Sequence, residues 1–309
     1  MFKRLLIPLD GSRFAETAIP AALFLAEKAG SSVALLHIIE RDAPQRIHGE
    51  RHLTAVDEAQ AYLAEVAVRQ IPKSIKTDLH VHALETANVA RGIADHLLEL
   101  NQDTVVMSAH GHGGLRDILF GNIAQQVVAL GTMPVLLLHP DDGSFSCDKI
   151  LLPHDGVPAH DPALQSGMEL ASLANAELKL VMVIPTAGTL KGSQAAIGQM
   201  LPRSTRAMLE LAQQEGIEHL RKDAEELSGK GLKAHFEVLR GDPASCIIQA
   251  GREFAADVIV LGTHGKSGVK AFWDGSVAAR VAAKSKSSLL FVPVTIVNEN
   301  DWHFAKKKV

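Results

Sequence analysis

One stretch of the sequence combines glycines and polar residues in a spacing that suits phosphate binding. "GTHGKSGVKAFWDGS" places Gly262 and Gly265 at its start and Gly275 and Ser276 at its end, with nine residues between Gly265 and Gly275. Glycine lets a ligand approach the backbone closely, and consecutive backbone N–H groups form a concavity for an anion. The apolar spacing of "VAARVAAK", which follows Ser276, predicts a helix whose first N–H groups favour negative charge.

A second stretch, "SAHGHGGLRDILFGN", is an altered copy of the first. Ser108 stands in place of the first glycine and Asn122 in place of the final serine, whereas Gly111 and Gly121 remain. A Cβ at Ser108 would crowd an approaching ligand, although asparagine can still cap a helix. We therefore expect this copy to bind a phosphate less well, and to serve as a scaffold or as a site for a different ligand.

The two stretches belong to a repeat that covers the chain. "RLLIPLDGS" (4–12) matches "KILLPHDGV" (149–157), and "DTVVMSAHGHGG" (103–114) matches "DVIVLGTHGKSG" (257–268). The offsets of these two matches are 145 and 154 residues, so the second copy carries an insertion, and the self-similarity indicates two copies of one structural unit. The sequence predicts domains at 1–142 and 147–297, a polar linker around 141–147 and a tail at 298–309.

Each unit alternates short apolar runs with Ala-rich segments of helical spacing. Continuous Val/Ile/Leu runs are typical of strands buried on both faces, and their alternation with helices predicts an α/β fold with a doubly wound parallel sheet. The predicted strands are 4–9, 32–39, 76–84, 104–109 and 135–139 in the first unit, and 149–154, 177–184, 232–239, 257–262 and 289–294 in the second.

In such a sheet, ligands bind beyond the carboxyl ends of the strands, where the strand order reverses. The glycine stretch leaves the carboxyl end of the fourth strand of the second unit. Asp155 and Gly156 follow the end of its first strand. This position favours a nucleotide site over a plain connection between a strand and a helix, because a lone pair of loop glycines would be a weak signal.

The second unit resembles a universal stress protein domain, and the whole chain resembles two such domains in tandem. The nucleotide-binding branch of that family carries Gly-x2-Gly-x9-Gly-Ser/Thr, which Gly262, Gly265, Gly275 and Ser276 fit in full. "LLPHDG" and "LRGDPASCII" (239–248) are also similar to features of the family. The resemblance implies two Rossmann-like sheets of the adenine nucleotide alpha hydrolase type, of order 3-2-1-4-5, that form a pseudo-dimer. It also implies ATP as the ligand, with or without Mg²⁺.

The resemblance also implies a set of contacts, with Asp155 and the backbone of Val183 at the nucleoside and the glycine stretch around the phosphates. The implied nucleotide-binding residues are Pro153, Asp155, Gly156, Val183, Leu261, Gly262, Thr263, His264, Gly265, Gly275, Ser276 and Val277. The corresponding degenerate site of the first unit comprises Asp10, Ile38, Ser108, Gly111, Gly121 and Asn122.

The motifs favour binding over efficient catalysis. Phosphoryl transfer needs a positioned metal and a group that orients the nucleophile, and the sequence contains no GxxxxGK[ST]. His264 could act as an acid or base, but no neighbour in the sequence orients it. We expect no efficient turnover and assign no catalytic residue. A weak ATPase and a protein-interaction module that binds no nucleotide remain as alternatives.

Composition excludes several other classes. A net charge of −4 without an extended basic run argues against a nucleic-acid partner, and no apolar stretch reaches the ~18 residues of a membrane span. Two cysteines without metal-binding spacing indicate a reducing, cytoplasmic setting. The pairs His80-x-His82 and His110-x-His112 each supply two ligands where a zinc site needs three or four, so no metal site is expected.

Two features concern assembly and access. The fifth strands are apolar edges that need cover, so we expect them to meet each other or a neighbouring chain, and the resemblance suggests a dimer of tandem chains. Residues 185–203 form an insertion in the second unit that follows the carboxyl end of a strand. The sequence leaves two alternatives for it, a mobile lid and a disordered linker.

Overall fold

The computed structural model shows one ten-stranded sheet made of two similar units. It describes residues 1–41, 46–47, 50–86, 88–109, 122–139, 145–157, 160–263 and 276–294. The predicted tail at 298–309 and residues 141–144 of the predicted linker lie outside these ranges.

The first unit alternates strands and helices, with a two-stranded hairpin between the second strand and the third helix. Its elements are β1 (Arg4–Pro8), α1 (Arg13–Glu16), α2 (Ile19–Ala29), β2 (Ser32–Glu40), β3 (Arg46–Ile47), β4 (Glu50–Arg51), α3 (Val56–Gln70), β5 (Thr77–Thr86), α4 (Val89–Glu99), β6 (Thr104–Ser108), α5 (Asn122–Leu130) and β7 (Val135–Leu138).

Within the described residues, the second unit repeats this alternation without the hairpin, with one helix in place of α1 and α2 and two helices in place of α3. Its elements are β8 (Lys149–Pro153), α6 (Asp161–Ala174), β9 (Glu177–Ile184), α7 (Gly192–Met200), α8 (Pro202–Gly229), β10 (Lys233–Arg240), α9 (Pro243–Phe254), β11 (Val258–Thr263), α10 (Val277–Ala282) and β12 (Ser288–Pro293). All ten predicted strands are present, and their ends lie within two residues of the predicted ones.

The strand order confirms the predicted fold. The first unit has the order β5-β2-β1-β6-β7 and the second β10-β9-β8-β11-β12, which is 3-2-1-4-5 in both. Within each unit, all strand pairs of the ten-stranded sheet are parallel, whereas the separate hairpin β3–β4 is antiparallel. The strand order therefore reverses between β1 and β6 in the first unit and between β8 and β11 in the second.

The fifth strands join the two units. β7 and β12 pair in antiparallel register, with Leu136 opposite Leu290 and Leu137 opposite Leu289. All four side chains are buried. Of the two predicted partners for the fifth strands, each other or a neighbouring chain, the structure shows the first, and the sheet runs continuously through both units.

Alternation along the strands supplies two apolar layers. Leu5 and Ile7 of β1 face one layer, which α2, α3, α6 and α8 cover, whereas Leu6 faces the other, which α4, α5, α9 and α10 cover. Each layer contains residues from both units, so burial of apolar area stabilises the units together.

The insertion of the second unit is helical. A turn closed by Thr189 Oγ1, which accepts from the Thr186 N–H at 2.8 Å, leads to α7 and then to α8, a helix of 28 residues. α8 packs against β9 and β10. The structure therefore shows ordered secondary structure where the sequence left a lid and a disordered linker open.

Candidate functional site

The reversal of strand order in the second unit opens a cleft between β8 and β11. These neighbours pair only at Ile150 with Val258 and at Leu151 with Ile259. β8 nevertheless continues to Pro153 and β11 to Thr263. Because each strand beyond the shared pairs follows its other neighbour, β9 or β12, the carboxyl ends separate. Pro153 at the end of β8 and residues 261–263 at the end of β11 therefore lie at the same edge of the sheet.

Asp155 lies on the β8 side of the cleft. Gly156 next to it has φ +75°, a conformation that favours glycine and turns the chain towards α6. Asp155 Oδ1 accepts from the Val157 N–H at 3.1 Å, and Oδ2 lies 2.7 Å from His160 Nδ1. The side chain is 42% exposed, and each carboxylate oxygen keeps a further lone pair for a ligand donor.

Asp155 and His160 form a hydrogen-bonded pair, which is an ion pair when His160 is protonated. Partial burial raises the pKa of Asp155, but the hydrogen bond and the charge of His160 and the Val157 N–H outweigh burial, so the pKa lies below its ordinary value. The hydrogen bond to Asp155 raises the pKa of His160 above its ordinary value in spite of burial. The carboxylate that faces the cleft is thus held ionised and oriented. Sequence reasoning missed His160, whose signal is its position five residues after Asp155 at the start of α6.

The β11 side of the cleft presents backbone. Leu261 and Thr263 are buried, whereas Gly262 between them is exposed. The Thr263 hydroxyl donates to the Val292 carbonyl at 3.3 Å, which fixes the strand end against β12. A Cβ added at Gly262 would meet Val294 Cγ1 at 3.3 Å. Glycine at position 262 therefore avoids a close contact with Val294, and it also leaves the backbone exposed.

Ser276 begins α10, as the sequence predicts. Its Oγ accepts from the Ala279 N–H at 3.0 Å, which is an N-cap hydrogen bond. Val277, the first residue of the helix, is 38% exposed. Because α10 has only six residues, a ligand at its start would interact with the free N–H groups of the first turn rather than with a helix dipole.

An ion pair links α10 to α9. Asp242, the N-cap of α9, accepts from the Ser245 N–H at 3.1 Å and receives both guanidinium nitrogens of Arg280 at 2.8 and 2.5 Å. The Arg280 hydrogen bonds hold the pKa of Asp242 well below its usual range, although burial opposes this. The order Asp242, Pro243 in "GDPAS" is typical of a helix start, but no local pattern indicates the pairing with Arg280, since 38 residues separate the partners.

Two further predicted residues, Val183 and Ile38, occupy equivalent positions in the two units. Val183 lies half-buried near the end of β9, opposite Leu239 of β10. Ile38, its counterpart in the first unit, is buried and packs on α4, where a Cβ at Gly92 would come within 2.9 Å of it. Predicted residues outside the described ranges are His264, Gly265, Gly275, Gly111 and Gly121, together with the considered pair His110 and His112.

The first unit fills the equivalent cleft edge with its own side chains. Asp10 Oδ1 accepts from both the N–H and the hydroxyl of Ser12, at 2.9 and 2.7 Å. Ser108 Oγ lies 2.6 Å from Thr17 Oγ1. The hydroxyl that replaces a glycine is thus engaged in a contact that Gly262 cannot make.

Two histidines that the sequence reasoning passed over lie beside the turn at Asp155. His154 is buried, and its ring stacks on that of His219 from α8, with 5.5 Å between the ring centroids. His219 Nε2 lies 3.5 Å from Asp223 Oδ2. Burial lowers the pKa of His154, which favours its neutral form. Two signals in the sequence could have identified these histidines. His154 stands where the repeat has Leu9 in the first unit, and His219 and Asp223 have the i,i+4 spacing of one helix face.

The pair His80 and His82 was considered above as a source of zinc ligands, but His82 contacts another histidine. His82 Nδ1 lies 2.9 Å from His96 Nε2 of α4, and the two rings meet edge to face. His96 in turn lies 3.0 Å from Glu99. His82 therefore pairs across the sheet–helix interface.

A comparison with family models identifies both units. The model of the universal stress protein family matches residues 1–139 and again residues 147–293. Within the described residues, none of the helices combines the length and the apolar character needed to span a bilayer.

Known proteins similar to the chain agree with this match. A universal stress protein of Mycolicibacterium smegmatis is 25% identical over 306 residues, which is 93% of this chain and 96% of that protein. Universal stress protein MJ0531 of Methanocaldococcus jannaschii is 31% identical over 144 residues, 47% of this chain and 81% of its own. A crystal structure of a universal stress protein from Archaeoglobus fulgidus matches 95% of this chain and 97% of its own, with a TM-score of 0.69 and 20% identity.

Proposed function

The chain belongs to the universal stress protein family, and on that premise we propose that its second unit binds an adenine nucleotide, ATP, in the cleft between β8 and β11. One observation carries the proposal. The Gly-x2-Gly-x9-Gly-Ser motif begins at the exposed Gly262 at the end of β11 and ends at Ser276, the cap of α10, and β11 is the neighbour of β8, whose end leads to Asp155. The motif thus lies where the strand order reverses, which is the ligand-binding edge of this fold class.

The chemistry of the two sides supports an asymmetric ligand. On the β8 side, the ionised Asp155 can accept hydrogen bonds from the hydroxyls of a ribose or the amine of a base. On the β11 side, backbone N–H groups around Gly262 and at the start of α10 suit phosphate oxygens. Phosphate binding by backbone groups needs few positive side chains, in keeping with a net charge of −4.

The chain supplies its own control for Ser276. Ser276→Asn copies Asn122 of the first unit and retains an N-cap, whereas Ser276→Ala removes it at a cost of about 1 kcal/mol. If the hydroxyl contacts phosphate, both variants bind ATP at least about tenfold more weakly in calorimetric titrations. Gly275→Val should weaken binding as well, because a side chain blocks close approach of the phosphates.

A thermal melt of each variant separates loss of the ligand contact from loss of the fold. Unchanged ATP affinity in Ser276→Asn and Gly275→Val would refute the assignment of the site. A parent chain that binds no adenine nucleotide would favour the protein-interaction module.

The proposed role is regulatory binding, with slow hydrolysis at most. Asp155 is the carboxylate at the cleft, and its two oxygens are engaged by Val157 and His160, which suits recognition better than proton transfer. The first unit serves as a scaffold that completes the sheet. Steady ATP turnover that Asp155→Asn abolishes while binding persists would support the weak ATPase instead.

A dimer of tandem chains is the assembly that we propose. The pairing of β7 with β12 already covers both fifth strands within one chain, so a dimer must use another surface. Sedimentation velocity of the full chain with and without ATP tests this, and a monomer at all concentrations would contradict it.

A further inference from the structure

A group of metal-binding side chains lies next to the cleft but outside the nucleotide motif. His154 of the turn after β8, and His219 and Asp223 of α8, each offer a ligand atom, and these atoms lie within 4.8 Å of one another. Ligand atoms around a tetrahedral ion with bonds of about 2.0–2.2 Å are separated by roughly 3.3 Å. The ligand atoms are thus near enough to share one ion once the stacked rings of His154 and His219 turn out of their parallel arrangement, so that a nitrogen of each points at it.

Packing within the fold does not explain why a histidine occupies position 154. Its counterpart in the first unit is Leu9, and the backbone N–H of each donates to the neighbouring strand at 2.8 Å, to Val181 and Leu36 respectively. Leucine satisfies the packing at this position, whereas a buried imidazole must be desolvated. His154 is 8% exposed, and its Nε2 finds no hydrogen-bond partner among the residues that the structure describes. A polar ring buried at an apolar position, with an unsatisfied nitrogen, indicates a ligand.

The carboxylates and the exposure around His154 suit a cation. Asp223 lies beside His219, and Asp161 Oδ1 is 3.8 Å from His154 Nε2, which is too long for a hydrogen bond. His219 is 45% exposed and Asp223 is 24% exposed, so an ion can reach the group from solvent. Two imidazoles with one carboxylate are a ligand set for Zn²⁺ and related transition metals, whereas Mg²⁺ prefers oxygen ligands.

We propose that the second unit holds one divalent transition-metal ion of the Zn²⁺ class between His154, His219 and Asp223. Water takes the fourth position, as in zinc sites with three protein ligands, and Asp161 remains beside the group as an outer carboxylate. This departs from the sequence-based expectation of no metal site, which considered only histidines close together in the sequence.

Coordination requires one local change. The Gly156 N–H donates to His154 Nδ1 at 3.2 Å, so the neutral ring carries its proton on Nε2. An ion at Nδ1 replaces that donor, and an ion at Nε2 moves the ring proton to Nδ1. Either way a single long hydrogen bond in an exposed turn is lost. The Gly156 amide signal in an NMR titration with Zn²⁺ therefore reports directly on the site.

The test is a Zn²⁺ titration of the full chain, without nucleotide and without an affinity tag, in competition with a chromophoric chelator. The parent should bind one ion per chain. His154→Leu, which copies the first unit, and His219→Gln should each weaken binding by ~100-fold. His235→Gln is the matched control, because His235 pairs with Glu177 at 3.0 Å in the same unit but away from the group.

A second readout identifies the geometry. Co²⁺ in place of Zn²⁺ should give visible absorption of the strength expected for four-coordinate sites, and His219→Gln should remove it. His219 is half-exposed, so this variant keeps its fold even if His154→Leu is destabilised, and a circular dichroism spectrum checks both.

The proposal is wrong if the parent binds no Zn²⁺, or if His154→Leu and His219→Gln bind it as the parent does. Persistent binding in both variants would mean that other residues hold the ion. ATP affinity is measured separately in metal-free protein, so failure of the metal site leaves the proposed nucleotide site untouched, and the reverse also holds.

Discussion

The two units share a strand order and a cleft between their first and fourth strands, but they build its edge differently. In the second unit Asp155 pairs with His160 across a glycine turn and leaves half of its carboxylate exposed. In the first, Asp10 accepts from Ser12, whose hydroxyl caps α1. The fold therefore needs only a polar turn after the first strand. Under the proposed function, the histidine and the exposed carboxylate of the second unit serve ligand binding instead.

A second difference lies one turn further on, where the first unit contains a buried ion network. Glu16, with only 8% of its side chain exposed, accepts from Arg69 at 2.9 Å and from Tyr62 at 3.2 Å, which ties α1 to α3. Burial, followed by the charge of Glu16, raises the pKa of Tyr62 far above its ordinary value. Asp161 occupies the equivalent repeat position in the second unit and is 46% exposed. In the first unit, the carboxylate at this position therefore contributes to the stability of the fold.

Glu16→Gln should give the largest loss of stability among the changes that test this comparison. Glutamine keeps the shape of the side chain but removes the negative charge that accepts hydrogen bonds from Arg69 and Tyr62. Hydrogen bonds to a charged group are worth about 1.5–3 kcal/mol. We expect the free energy of unfolding to fall by about 2 kcal/mol. Asp161→Asn should cost less than about 0.5 kcal/mol. Urea denaturation of metal-free protein measures both, and equal losses would contradict the proposed difference between the units.

Asp242→Asn should have an intermediate effect, because it makes the α9 cap resemble Asn88, the N-cap of α4. Asparagine caps as well as aspartate does. The change therefore isolates the ion pair with Arg280. Because Arg280 is 36% exposed, solvent screens the pair, and we expect a loss of about 1 kcal/mol. Arg280→Gln, which copies Gln126, should cost about the same, and the double variant no more than either single one.

The pH dependence checks that the loss is electrostatic. The pKa of Asp242 is lower in the folded protein than in the unfolded chain, so its contribution is present above the unfolded pKa and is lost as the pH falls through the folded one. The difference in unfolding free energy between parent and Asp242→Asn should be constant near neutrality and shrink in strong acid. A difference that stayed constant down to the acid limit would point to packing instead.

Apolar periodicity predicted the sheet well, because strands buried on both faces impose continuous apolar runs. "DVIVLG" and "RLLIP" are such runs, and β11 and β1 lie where they indicate. The apolar character of the fifth strands predicted that edges such as Leu136 and Leu290 need cover, but it left open whether they meet each other or a neighbouring chain. The helix start at Ser276 followed from local capping chemistry, which acts within three residues.

Contacts between distant segments could not be predicted in the same way. Arg280 is 38 residues from Asp242, and His219 is 65 residues from His154, and no local pattern encodes either distance. The sheet and the helix packing create these pairs, so they become visible only when the strand order is known. The helical character of 185–203 was missed because its glycines and prolines suggested irregular structure.

Gly262→Ser should have the smallest effect, and it tests why the first unit has Ser108 at this position. The sequence suggests that a Cβ crowds the ligand. The structure shows that a Cβ at 262 would meet Val294 at 3.3 Å and Ala163 at 3.7 Å, which are packing neighbours beside β12 and α6. We therefore expect a stability loss below about 1 kcal/mol, within the range of mild overpacking. ATP affinity should fall by less than it does in Ser276→Asn.

Ser108→Gly is the reciprocal change, and it removes the hydrogen bond to Thr17, which is worth about 0.5–1.5 kcal/mol. If packing decides this position, Ser108→Gly destabilises the first unit without creating a nucleotide site there. If crowding of the ligand decides it, Gly262→Ser abolishes ATP binding at unchanged stability, and Ser108→Gly with Asn122→Ser gains it. Calorimetric titration of ATP together with urea denaturation separates the two explanations, because affinity and stability then move independently.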